Sequence, residues 1–257
     1  MMLVTSLTEK LYHKYGKTFI DSFREMWPKK VHLTIYWEGD DLRQDEENIH
    51  WRYIEEVEGL CKWMDAIHNF PLMEGKTPNG YDIQHDARHV RKALIEMHAL
   101  KVFGGRVFWA DSDIVTHRPV PHNWLETILP DDKLCCYAGR EGWMYPETGF
   151  IGFNANHPLY EPFVSAYREV FTSGLIFTQR GWHDCYGFDL ARYALGQPEA
   201  FIDYAKDLPQ GTMHPVINTV FGDYLDHKKG PRKAEGSTKA DLVIEREESY
   251  WQNAKAS

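Results

Sequence analysis

The sequence predicts an α/β fold: a mostly parallel, doubly wound central sheet flanked by helices. Three observations point there. The chain opens strand–helix–strand. A later apolar run, Val107-Phe108-Trp109, reads as a buried strand that ends in Asp111 and Asp113. Around these lie helical spacings that alternate with short β-branched or Gly-punctuated runs. Residues 1–233 are expected to form one domain, and 234–257 a polar tail able to end in a helix.

Leu3-Val4-Thr5-Ser6 serves as a first strand running into a helix cap. Residues 9–27 carry Leu11, Tyr15, Phe19, Phe23 and Met26 at the spacing of one helix face. Pro28 stops that helix. Residues 30–37 alternate and are β-branched, hence a second strand. The acidic stretch 40–50 reads as a solvated loop, 54–67 as a helix, and 71–81, with Pro, Gly and Asn, as an exposed loop. Residues 86–100 form a further helix with Val90, Leu94, Met97 and Leu100 on one face; it carries Arg88, Arg91 and Lys92. Gly104-Gly105 ends it. A short helix is expected over 123–129, a strand over 133–139, and another over 148–154, whose glycines imply close backbone approach. Residues 159–171 are helical, 182–189 leads into a helix through Leu195, and 210–222 is irregular.

A chain of 257 residues is long enough for a sizeable core. With 43% hydrophobic and 26% charged residues it is not a disordered chain. Aromatic residues reach 14%, with nine Trp, an excess that suits either a Trp-rich core or sugar and base pockets. A net charge of −9 argues against a protein that coats nucleic acid or an anionic membrane. The basic stretch 227–233 stands out in this acidic chain and favours a local anion site. The four cysteines, Cys61, Cys135, Cys136 and Cys185, offer no Cys-x-x-Cys spacing, so reduced thiols and a cytoplasmic location are expected. No signal-peptide pattern opens the sequence and no apolar run reaches transmembrane length.

The chemistry gathers at Trp109-Ala-Asp-Ser-Asp113. Open α/β sheets bind ligands at the carboxyl ends of their strands. Two carboxylates one residue apart on a bend there can face one hard cation, and oxygen ligands suit Mg²⁺ or Mn²⁺ shared with a substrate phosphate. Arg88 and Lys92 lie one helical turn apart, on one face. Thr5 and Ser6 end the first strand, where they either contact a nucleoside or cap the following helix.

The ordered set resembles the GT-A class of nucleotide-sugar glycosyltransferases, which have a Rossmann-like sheet and an Asp-x-Asp motif. The match rests on Arg88 with Lys92, on the segment 109–113, on Glu147-Thr-Gly-Phe-Ile-Gly-Phe-Asn154, and on Asp226-His-Lys-Lys229. The resemblance implies a nucleoside diphosphate sugar as donor and Mn²⁺ or Mg²⁺ as cofactor. It implies metal binding by Asp111, Asp113 and His227, with imidazole suiting Mn²⁺ better than Mg²⁺. Donor contacts would come from Thr5, Ser6, Arg88, Lys92, Asp111, Ser112, Lys228 and Lys229. An inverting transfer needs a base for the acceptor hydroxyl. Asp184 is the first choice, Glu147 the second and Asp189 a third; a retaining transfer needs none. Trp109, Trp143, Tyr145, Trp182 and His183 are candidates for the sugar and acceptor pocket.

Other classes fit less well. A haloacid-dehalogenase-type phosphatase places its Asp-x-Asp on the first strand with Thr two residues on, whereas position 115 is Val. A nucleotidyltransferase opens with a Gly-rich loop, which Leu3-Val-Thr-Ser-Leu7 is not. A binding protein that lost turnover is a third class. The acceptor is open among a glycan, a lipid-linked saccharide met at the membrane surface, a protein side chain and a hydroxylated base in DNA.

Overall fold

The computed structural model describes all residues except 70–74, 77–79, 81–88, 141, 234–235 and 255–257. Its strands are β1 (Met2–Thr8), β2 (His32–Glu38), β3 (Ile49–Tyr53), β4 (Arg106–Ala110), β5 (Ile114–Thr116), β6 (Cys135–Ala138), β7 (Glu147–Asn154), β8 (Phe201–Asp203) and β9 (Leu225–His227). Besides one α-helical turn at Glu9–Leu11, its α-helices are α1 (Lys17–Met26), α2 (Leu60–Asn69), α3 (Val90–Phe103), α4 (Trp124–Ile128), α5 (Tyr160–Thr172), α6 (Asp184–Leu195) and α7 (Ser249–Asn253).

Seven strands form one sheet in the order β3-β2-β1-β4-β7-β6-β8. β1 pairs in parallel with β2 and β4, β2 with β3, and β6 with β8. Only β7 runs against its neighbours β4 and β6. This is the mostly parallel, helix-flanked sheet that the sequence predicts. β5 and β9 form a separate antiparallel pair at the end of β4.

Strand alternation divides the core between the two faces of the sheet. Val107 and Trp109 join α3, α5 and α6 on one face, with Phe163, Tyr167 and Phe188. Phe108 and Ala110 join α1 and α4 on the other, with Phe23, Trp27 and Trp124. The adjacent Cys135 and Cys136 point to opposite faces, and both are buried free thiols. Burial in an apolar layer pushes both thiols up from their ordinary value.

Several boundaries differ from the sequence reading. The helix predicted over 9–27 runs through a π-helical turn at Tyr12–Gly16 before α1 begins. Residues 49–50 belong to the edge strand β3, not to a solvated loop, and the 54–67 helix starts only at Leu60 after a 3-10 turn at Ile54–Glu56. β3 buries Ile49 and Trp51 and exposes Arg52 and Tyr53. Two buried positions beneath an acidic approach give too little alternation to see. β5, β8 and β9 are three residues each, too short for any period. Most of the loop expected over 71–81, and 86–88 of the predicted helix, lie outside the described residues.

The C-terminal segment packs against the sheet assembly. Ser237, Thr238 and Trp251 are buried, and Arg246 donates to the carbonyls of Ile217 and Thr219 and to the carboxylate of Asp223.

Candidate functional site

β4 ends at Ala110, and the chain then turns sharply. The Asp111 N–H donates to Gly149 O at 2.7 Å, and the Ile114 N–H donates back to Asp111 O at 3.0 Å. This turn holds the Asp111 and Asp113 side chains near one another at the carboxyl end of the sheet. β9 returns antiparallel to β5, so that His227 lies across from Ile114. The Lys228 N–H seals the pairing on Asp113 O at 3.2 Å. His227 Nε2 stands 3.1 Å from Asp113 Oδ1 and 3.5 Å from Asp111 Oδ2. One ligand atom from each of Asp111, Asp113 and His227 lies within 4.8 Å of the others. Two hard carboxylates and one imidazole are a donor set that fits Mn²⁺ or another divalent cation.

Asp111 and Asp113 border a cavity of about 860 Å³, and the buried His227 stands behind them, off its wall. Lys92 reaches the cavity from the first turn of α3 and is almost fully buried. Its Nζ donates to Thr148 O at 2.5 Å and lies 3.1 Å from Asp184 Oδ2 and 3.3 Å from Asp111 Oδ1. Burial alone would lower its pKa. The charges of Asp111, Asp184 and Glu96 outweigh that and hold the ammonium above its ordinary value. Asp111 Oδ1 also accepts from Trp109 Nε1 at 2.6 Å.

Two further carboxylates face the cavity. Asp184, the first residue of α6, accepts from Thr148 Oγ1 at 2.5 Å. Burial would raise its pKa, but Lys92, His89 and the Thr148 hydroxyl favour the anion and hold it below its ordinary value. Glu147 opens β7. Its Oε2 takes Lys229 Nζ and an Arg140 nitrogen, each at 2.5 Å. Its Oε1 accepts from Gly149 N at 3.1 Å and stands 3.8 Å from His227 Nδ1. Burial again pushes the carboxyl up, and Lys229, His227 and Arg140 outweigh it to hold Glu147 well below the usual range. Both acids are therefore ionised near neutral pH.

The structure brings many of the sequence candidates together. Ser6, Lys92, Trp109, Asp111, Ser112, Asp113, Glu147, His183, Asp184 and Lys229 line the cavity. Thr5 does not: it points into the sheet interior, where its hydroxyl has no hydrogen-bond partner among the described residues. Strand alternation gives the cavity to Ser6 instead. Lys228 is off the cavity wall and acts through its backbone N–H. Trp182 is buried against Phe177, and Tyr145 stacks on Tyr186 with ring centres 3.6 Å apart; neither they nor Trp143 line the cavity. Asp189 is ion-paired with Arg192 at 2.8 Å inside α6. Arg88 lies outside the described residues.

The sequence reading did not single out Arg140, Thr148 or His89. Arg140 and Thr148 sit at strand ends facing the same pole of the sheet, a position that itself marks ligand contacts. His89 stacks on His183 with ring centres 4.1 Å apart; only folding brings the two histidines together.

No family model and no curated protein matches this sequence. Among solved structures it is similar to mouse xyloside xylosyltransferase 1, at 13% identity and a TM-score of 0.49, over 79% of this chain and 84% of that one. It is also similar to the galactosyltransferase LgtC in complex with donor and acceptor sugar analogues, at 14% identity and a TM-score of 0.47, over 98% and 99% of the two chains. A bifunctional glycosyltransferase, WbbM, gives 11% identity and a TM-score of 0.47 over 79% of this chain and 38% of that one. Likeness at this level concerns the course of the chain. The functional reading rests on the side chains themselves.

Proposed function

We propose that this chain is a metal-dependent glycosyltransferase that moves a sugar from a nucleoside diphosphate sugar to an acceptor hydroxyl. One observation carries the reading: Asp111 and Asp113, on the wall of a cavity that also presents Lys92, Arg140 and Lys229, converge with His227 within 4.8 Å. A cation-binding triad beside fixed positive groups suits a diphosphate leaving group.

In this reading Asp111, Asp113 and His227 hold Mn²⁺ or Mg²⁺. When bound, the cation supplies Lewis-acid stabilisation to the departing diphosphate. Lys229 and Arg140 add positive charge on the same side. Glu147 keeps both in place and stands behind the His227 ring, as carboxylates commonly stand behind metal-bound imidazoles. Lys92 neutralises Asp111 and Asp184 and so keeps three carboxylates compatible in one cavity. Ser6, on the cavity wall, meets the nucleoside in this reading. Asp184, held ionised, accepts hydrogen bonds from sugar hydroxyls, and in an inverting transfer it takes the acceptor proton. His183 and Trp109 form the adjoining wall. The proposed acceptor is a saccharide or another small hydroxyl compound; the net charge of −9 weighs against DNA.

The test is a thermal-shift panel of nucleoside diphosphates and nucleotide sugars with and without Mn²⁺. A nucleotide shift that depends on Mn²⁺ is expected, and it names the donor base. A panel without any metal-dependent shift rejects the proposal. With the donor named, release of nucleoside diphosphate on adding acceptor saccharides separates an active transferase from a binding protein.

A further inference from the structure

The His227 strand has little support of its own. β5 and β9 pair over three residues each, Ile114 with His227, Val115 with Asp226 and Thr116 with Leu225. A lone two-stranded ribbon is marginal in water. Yet it sets the distance between His227 Nε2 and Asp113 Oδ1, since Asp113 directly precedes β5 and His227 ends β9.

Successive strand residues face opposite ways. His227 turns toward Asp111 and Asp113, so Asp226 turns to the other side. That carboxylate is fully buried, and a buried carboxylate needs donors. The C-terminal segment supplies them: Thr238 donates through its hydroxyl and through its N–H at 3.3 Å, and Tyr250 Oη donates at 2.6 Å. The same segment reaches the far end of β5. The Tyr250 ring stacks on His117, with centres 4.3 Å apart and planes 9° from parallel. Trp251, fully buried, donates from Nε1 to Gly222 O at 2.9 Å, and His117 Nε2 lies 3.1 Å from that same carbonyl.

We infer that the segment 237–254 is a strap that fixes the position of β9 relative to β5, with Thr238 and Tyr250 as positioning residues for the His227 imidazole. This rests on the metal-site reading of Asp111, Asp113 and His227. Gripping Asp226 on one face of β9 sets the direction of His227 on the other. Gripping His117 holds the partner strand that follows Asp113. The strap thus acts on cation affinity without touching the cation.

The test measures Mn²⁺ affinity of the full chain by titration calorimetry, together with melting temperature in chelator. Tyr250→Phe keeps the stack on His117 and removes one bond to Asp226; Thr238→Val removes another. Each is expected to weaken Mn²⁺ binding about tenfold, in the range of outer-shell partners of metal ligands. Thr238→Ser keeps the hydroxyl and should restore wild-type affinity. Folded Tyr250→Phe and Thr238→Val proteins that bind Mn²⁺ as wild type does overturn the strap and leave the metal site standing. Wild-type protein that does not bind Mn²⁺ overturns both. If Thr238→Val does not fold, Tyr250→Phe carries the test, because its ring and its burial are unchanged.

Discussion

Lys92 shows how one residue decides the state of several others. Its ammonium sits between Asp111 and Asp184, 3.3 and 3.1 Å away, and keeps Asp184 ionised in a buried place. Asp113 is the more buried aspartate of the motif and stands nearer to His227 Nε2. Replacing it with alanine should therefore weaken Mn²⁺-dependent nucleotide binding by about a hundredfold or more, at least the effect of an outer-shell partner. Calorimetry with and without Mn²⁺ checks this, and unchanged affinity would remove Asp113 from the metal site. Asp184→Asn is a different kind of change. It keeps the shape, still accepts from Thr148, and loses the charge that answers Lys92. Transfer should fall about 10²- to 10⁴-fold, the span of acid–base and charge effects, while nucleoside diphosphate binding with Mn²⁺ persists. Near-normal transfer would eliminate Asp184 from the chemistry. At this scale much of the site was legible, because Asp-x-Asp after an apolar strand is a local pattern. The partners of Glu147 were not legible: Arg140 is seven residues away, but Lys229 is 82 residues distant.

Among the elements, β7 does the most for the site. It is the one reversed strand of the sheet. It places Glu147, Thr148 and Gly149 consecutively against the cavity, α6 and β9. Its glycines answer to close approach, as their spacing implied. A Cβ on Gly152 would overlap the Phe108 ring, and a Cβ on Gly149 would overlap Cε1 and Nδ1 of His227. Gly149→Ala must therefore push the imidazole or bend the strand. It should cost about 1–3 kcal/mol of stability, as overpacking does, and reduce Mn²⁺ affinity in the folded fraction. Urea unfolding and a Mn²⁺ titration read the two effects separately; a stable variant with wild-type affinity would mean that His227 is free to yield. The elements that escaped the sequence, β3, β5, β8 and β9, are short. Their strand state comes from pairing with distant partners, not from a pattern within them.

For the whole molecule, the buried layer between α3 and α5 carries an electrostatic cost. Glu96 lies one turn beyond Lys92 and accepts from Tyr167 Oη at 3.1 Å. Its other oxygen has no hydrogen-bond partner among the described residues. Burial pushes its carboxyl up to about 8 from 4.5, with the Lys92 charge opposing. The folded state thus keeps a proton that the unfolded chain gives up. Its contribution to stability is fully present below 4.5 and is lost as pH rises through about 8. Glu96→Gln, neutral at every pH, should flatten that dependence. The wild-type melting temperature should fall by about 5 °C more than the variant's between about pH 5 and about pH 9. Parallel melting curves across that range would show that Glu96 is ionised in the fold. None of the helices among the described residues is long and apolar enough to cross a membrane.

Local pattern in the sequence was enough to determine the fold class, the strand that ends in Asp111 and Asp113, and the tight approach at the glycines of β7. Hydrophobic period and turn chemistry act over a few residues, so a single chain displays them. The tertiary structure alone decided which charges meet. It turned Thr5 inward and Ser6 toward the cavity, set Lys92 between two carboxylates, and clasped Asp226 behind His227. Such pairings depend on which distant segments the core brings within a few ångströms, and nothing in the neighbouring sequence records that distance.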